Sequence, residues 1–172
     1  MNASEIYRRL SLINDKLKNK NLRWDLTIYD GAVMCLCFHS RISTHDIDGW
    51  FAPKSEINLI IDEITRENDF ENGWINDAVK GFISRKDDVE VMEQFSNLTI
   101  YKPKDRYLFA MKCMSCILEE GQNDIDDIKF LIDRLGITSS EEAESIILEY
   151  FPSNLILTKT HFMLLELLEK WF

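Results

Sequence analysis

Ser43-Thr44-His45-Asp46-Ile47-Asp48, read together with Asp30-Gly31-Ala32 upstream, is the stretch that decides the fold. Side chains of a strand alternate between faces, so Asp46 and Asp48 project together while Ile47 points the other way, into a core. Two carboxylates held side by side repel unless a cation lies between them, and hard cations such as Mg²⁺ take oxygen ligands of this kind. The spacing predicts a strand over 46–51 with one acidic face and one apolar face. Asp-x-Asp by itself is also what a solvated loop of an acidic protein offers, so the flanking elements carry the rest of the reading.

Upstream, Arg23 to Tyr29 alternates and is rich in strand formers, which predicts a first strand. Asp30-Gly31 reads as a turn, Ala32 to Phe38 as a buried helix, and His39 to Thr44 as the loop into the acidic strand. Trp50 and Phe51 follow the carboxylates and are expected in the core. Pro53 sits where a helix begins, with Ile57, Ile60, Ile61 and Ile64 as its apolar face. Near the N-terminus, Ser4 is placed to cap a helix whose apolar stripe is Ile6, Leu10, Ile13 and Leu17.

The remainder turns helical. Trp74 to Ile83 reads as a short helix, with Asn76, Asp77 and Lys80 on its wet side. Leu98 to Tyr101 is a third strand, ended by Pro103. Helices follow at Tyr107 to Glu119, at Ile125 to Leu135 with Gly136 as the stop, from the Ser139/Ser140 caps to just before Pro152, and at His161 to Trp171. The order predicts an α+β fold, a small mixed β-sheet flanked by helices with a helical C-terminal half, divided as 1–103 and 104–172.

With 45% hydrophobic and 29% charged residues, the chain can bury a core and does not have a disordered composition. Its net charge of -10 argues against a broad electrostatic grip on DNA, which needs Lys and Arg to neutralise phosphates. No apolar run approaches the roughly 20 residues of a membrane span, and the N-terminus lacks a signal-peptide layout. Cys35, Cys37, Cys113 and Cys116 lie in apolar runs and read as small buried hydrophobes. Cys113-x-x-Cys116 has a metal-like spacing but no second ligand pair. These readings point to a reduced, cytoplasmic protein with no membrane partner.

A strand, a glycine turn, a buried helix and a strand carrying Asp-x-Asp resemble the minimal nucleotidyltransferase fold of the DNA polymerase β superfamily. Fifteen residues separate Gly31 from Asp46, within that pattern. Further segments resemble its bacterial branch of small proteins related to AbiEii-type toxins and to nucleotidyltransferase-like antitoxins. Ser43-Thr44-His45-Asp46-Ile47-Asp48 is similar to the branch's S-T-x-D-I-D. Trp74 to Phe82 resembles a stretch of an uncharacterised subgroup. Tyr107-Leu108-Phe109-Ala110-Met111-Lys112 is similar to its Y-L-L-A-M-K helix, and Asp124-Ile125-Asp126-Asp127-Ile128 to the acidic element after it. The resemblance runs from about Trp24 to Phe151.

The resemblance implies Mg²⁺-dependent transfer of a nucleotidyl group from a nucleoside triphosphate to a hydroxyl on RNA or protein. Asp46 and Asp48 would be the metal ligands. The backbone around Gly31 and Ala32, with Ser43 and Thr44, would meet the nucleotide. Lys112 would contact a phosphate, and Asp124 or Asp127 would activate the acceptor or orient Lys112. A cognate toxin or antitoxin protein is the implied partner. The turn has one glycine where the family has Gly followed by Gly or Ser, and Leu98 to Tyr101 offers no third carboxylate. The alternative is a catalytically degenerate protein of the same fold, acting as an antitoxin-like or scaffold partner. For Lys112 the residues leave two readings open: an amine reaching water from an apolar helix, and a buried ion pair.

Overall fold

The structure is a computed structural model describing residues 1–51, 54–116 and 122–169. Pro53, Glu119, Glu120 and Trp171 lie outside these residues. The fold is mixed α+β, and the chain divides into two units, Met1–Gly81 with Val89–Lys102, and Phe82–Asp88 with Pro103–Phe172.

The first unit is built on a five-stranded sheet. Its strands are β1 (Trp24–Ile28), β2 (Ile47–Phe51), β3 (Ile75–Asn76), β4 (Val89–Gln94) and β5 (Leu98–Pro103), in the order β3-β2-β1-β5-β4. β1 pairs antiparallel with β2 and parallel with β5, while β2 pairs parallel with β3. Helices α1 (Ala3–Asn19) and α3 (Lys54–Asn68) pack against each other. Ile13, Ile57 and Ile61 close one side of a small void whose other side is Trp24, Leu26, Phe51, Ile75 and Leu98. That places the helices on the apolar face of the sheet. Buried Ile6, Leu10, Leu17, Ile60 and Ile64 complete the layer, the amphipathic stripe of each helix turned inward as its period requires. The cap of α1 is Asn2, whose side chain accepts from the Glu5 N–H, two residues earlier than Ser4.

Between β1 and β2 the chain is helical over 30–38 and then runs as a loop over 39–46. A single α-turn, α2 (Asp30–Val33), runs into a π-turn over Met34–Phe38 that ends at His39 in the left-handed region. Asp30-Gly31 is therefore the first turn of a helix and not a free-standing turn. Asp30 holds φ of 52° there, a conformation costly for most side chains and tolerated by Asp. Trp74 to Ile83 is also corrected. Ile75–Asn76 is the edge strand β3, fixed by register with Ile47 and Asp48, and only Ala78–Phe82 coils, as a 3₁₀ turn.

The second unit is helical: α4 (Asp105–Ser115), α5 (Gln122–Leu135), α6 (Ser140–Leu148) and α7 (Thr158–Glu169). α4 packs on α5 and α6, and α6 on α7. α4 buries every residue from Tyr107 to Cys113, so it is the core helix. Ser139 caps α6 by accepting from the Glu142 N–H, and Gly136, at φ of 66°, ends α5 as a left-handed C-terminal residue does. Segment 82–88 is clamped into this unit. The Ser84 N–H donates to the buried Tyr107 hydroxyl, the Tyr150 hydroxyl donates to Asp88, and the two tyrosine rings stack at 4.9 Å. Burial pushes the Tyr107 phenol above its ordinary pKa, which keeps it in the neutral form that can take part in this network.

Candidate functional site

β2 does what its alternation predicts. Ile47, Gly49 and Phe51 are buried, and Asp48 is half-buried on the opposite face. Asp46 stands just before the strand, also half-buried and two residues from Asp48. The register then identifies what flanks the pair. Asp48 is opposite Asn76 of β3, and its carbonyl accepts from the Tyr29 N–H at 2.9 Å. The Asn76 amide donates to Asp46 Oδ2 at 2.7 Å. Partners in register share a face, so Asp46, Asp48 and Asn76 form one oxygen-rich patch at the β3 edge. Asn76, read from sequence as part of a wet helix face, is a member of this patch.

Sheet order also corrects where a third ligand was to be sought. Leu98 to Tyr101 lies within β5, which pairs with β1 and is thus one strand removed from β2. The strand next to β2 on its free side is β3, and there the residue facing Asp48 is the neutral Asn76.

Gly31 and Thr44 are brought together. A Cβ on Gly31 would lie 2.5 Å from Thr44 Oγ1 and 3.1 Å from an Arg41 guanidinium nitrogen. No side chain fits there, so glycine is needed to let the 41–44 loop close onto α2. The Thr44 N–H donates to the Met1 carbonyl at 2.8 Å, which ties the loop to the N-terminus. Ala32 is buried behind Gly31, while Ser43 is exposed. Trp50 departs from expectation: it is 41% exposed, on the face that carries Asp48. Because Ile47 and Phe51 take the core side, period two sends Trp50 outward.

In the second unit, Lys112, Asp124 and Asp127 form their own cluster. Lys112 and Asp127 are each 2% exposed. The Lys112 ammonium lies 2.7 Å from Asp127 and 2.9 Å from Asp124. Of the two readings of Lys112, the buried ion pair is the one observed. A charge taken that far from water needs opposite charge at hydrogen-bond distance, and α5 supplies it twice from its first turns. Asp126, between them in sequence, is exposed and accepts from Gln122.

The four cysteines are free thiols, with Cys35, Cys113 and Cys116 buried and Cys37 half-buried. Burial pushes the Cys113 thiol well up, so little nucleophilic thiolate is present. No helix among the described residues is long and apolar enough to cross a membrane. Comparison with protein families, with curated proteins and with solved structures finds no match for the chain.

Proposed function

We propose that this is a nucleotidyltransferase-like protein that moves a nucleotidyl group from a nucleoside triphosphate to a hydroxyl on RNA or protein. The observation that carries the reading is Asp48 on a strand antiparallel to β1, with Asp46 just before that strand and tied to the same edge by Asn76, reached through a helical turn that begins at Asp30-Gly31. The donor set suits Mg²⁺, a hard ion that is commonly held by one or two carboxylates with substrate phosphates and waters filling its other positions. Bound between Asp46 and Asp48, Mg²⁺ would neutralise charge on the reacting phosphates. Asn76 holds Asp46 by its Oδ2 and so fixes the carboxylate before any ligand arrives. Pre-orientation of this kind lowers the cost of binding. In the reaction the acceptor hydroxyl gives up its proton to water, its oxygen bonds to the α-phosphorus, the bond to the bridging oxygen breaks, and pyrophosphate leaves. A cognate toxin or antitoxin is the partner proposed for such an activity.

One observation favours a second reading, nucleotide binding without turnover. The residue beside Asp48 is Asn76, which brings no negative charge to the patch. Melting temperature with Mg²⁺ and each of the four nucleoside triphosphates, paired with a pyrophosphate-release assay, tests both. A shift lost in Asp48→Asn, with pyrophosphate formed, supports the transferase. The same shift without pyrophosphate supports the binding protein. No shift with any triphosphate contradicts both.

A further inference from the structure

The same sheet face carries a second feature that neither the acidic pair nor the core explains. Strand register sets Trp50 opposite Thr27, and Thr27 opposite Tyr101. Trp50, Thr27 and Tyr101 therefore form a row across β2, β1 and β5. Trp50 is 41% exposed, and Thr27 and Tyr101 are half-buried. An exposed tryptophan on a strand is uncommon, since a large aromatic gains most from leaving water.

Two distances follow from sheet geometry. Neighbouring strands lie about 4.8 Å apart, so the backbones under Trp50 and Tyr101 are separated by roughly 9.6 Å. Thr27, short and β-branched, forms the floor between them. A planar ring needs about 3.5–4.0 Å to a carbon surface on each side, so rings standing over those two backbones would leave room between them for one flat heterocycle. Along β2, the row lies two residues beyond Asp48, about 6.8 Å away on the same face. A polyphosphate at the acidic pair would thus have its own base within reach of the aromatic row.

We infer that Trp50, Thr27 and Tyr101 form the nucleobase subsite, stacking the base of a nucleotide whose phosphates are held at Asp46 and Asp48. This rests on the nucleotide-binding reading above and adds where the base goes. The row has stacking surface, the hydroxyls of Thr27 and Tyr101 and the indole N–H of Trp50, but no carboxylate or amide to read a base edge, so purines are favoured by their larger π-surface and adenine and guanine are weakly distinguished.

The test measures affinity of the full chain, in Mg²⁺, for ATP, UTP and inorganic tripolyphosphate, which has no base. Wild type is expected to bind ATP more tightly than UTP and UTP more tightly than tripolyphosphate. Trp50→Ala is expected to lose about tenfold or more for ATP, while tripolyphosphate affinity stays within about twofold. Trp50→Phe restores most of the loss. Tyr101→Ala serves as an independent second variant with the same pattern. Equal losses for ATP and tripolyphosphate, or none for ATP, overturn the base subsite and leave the phosphate site standing. Failure of wild type to bind any of the three overturns both.

Discussion

Two charged clusters, one in each unit, are opposites. Lys112 and Asp127 are buried, Asp124 is half-buried beside them, and their charges meet at 2.7–2.9 Å. Asp46, just before β2, and Asp48, on it, stand half-exposed, and the Asn76 amide donates to Asp46. Burial forces the first cluster to contain its own counter-charge, because an uncompensated ion in the interior costs several kcal/mol (roughly 3–5 for a broken pair). Partial exposure leaves the second in contact with water, which screens the repulsion between its two carboxylates. A buried cluster whose ammonium is held by carboxylates at hydrogen-bond distance holds a structure together. A half-exposed acidic pair is suited to taking a cation from outside.

The largest expected effect breaks the buried cluster. Lys112→Met leaves Asp127 in the interior without its ammonium, and chemical denaturation should show a loss of about 3–5 kcal/mol. Adding Asp127→Leu to that variant should recover most of it, because a well-packed apolar pair replaces a buried ionic one at little net cost. If Lys112→Met unfolds at the wild-type denaturant concentration, the cluster has no structural role.

Next in size are two packing tests, one in each unit. Gly31→Ala places a methyl against Thr44 and should destabilise by about 1–3 kcal/mol, with Thr44→Ala partly relieving the double variant. Tyr107→Phe removes the acceptor of the Ser84 N–H and should cost about 1–3 kcal/mol by leaving a buried donor unsatisfied. Thermal unfolding of the single and double variants measures both.

The acidic pair should behave in the other direction. Asp46→Asn and Asp48→Asn should change stability without ligand by no more than about 0.5 kcal/mol, the range of surface substitutions. A large loss in either variant would mean that the pair, like Lys112, is a structural device.

The smallest effect is a titration. Arg8 and Arg9 donate to Glu5 and hold its carboxyl at a pKa of about 2. A folded-state pKa below the unfolded one contributes stability that is complete above about pH 4.5 and fades as pH falls toward 2. Glu5→Gln should therefore weaken the protein slightly near neutral pH and flatten its acid limb, with salt shrinking the difference. An unchanged acid limb would remove Glu5 from the account.

Much of the architecture could be read from the chain because its period was long enough to see. α1 shows its stripe over four turns, β1 alternates cleanly, and Ile47 between two acids declared which way β2 faced. β3 is two residues long, too short to display any period. β4 is an edge strand with no fully buried position, so its sequence lacks the apolar alternation of a half-buried strand. Met34–Phe38 is apolar all round, and such a run does not reveal whether its backbone closes an α- or a π-turn. Asn76 was out of reach for another reason: its role comes from pairing between β2 and β3, and single-chain patterns do not encode sheet order. Trp50 was legible in principle. Once Ile47 was assigned inward, period two sends residue 50 outward, and only the expectation that tryptophan prefers the core hid it.

The most direct measurement uses Mn²⁺ in place of Mg²⁺ and counts free ion by electron paramagnetic resonance, with ATP present, for wild type and Asp48→Asn. The account predicts that wild-type protein removes Mn²⁺–ATP from solution and that Asp48→Asn weakens this at least tenfold while keeping its melting temperature. Equal uptake by the two proteins, or none by either, would contradict it.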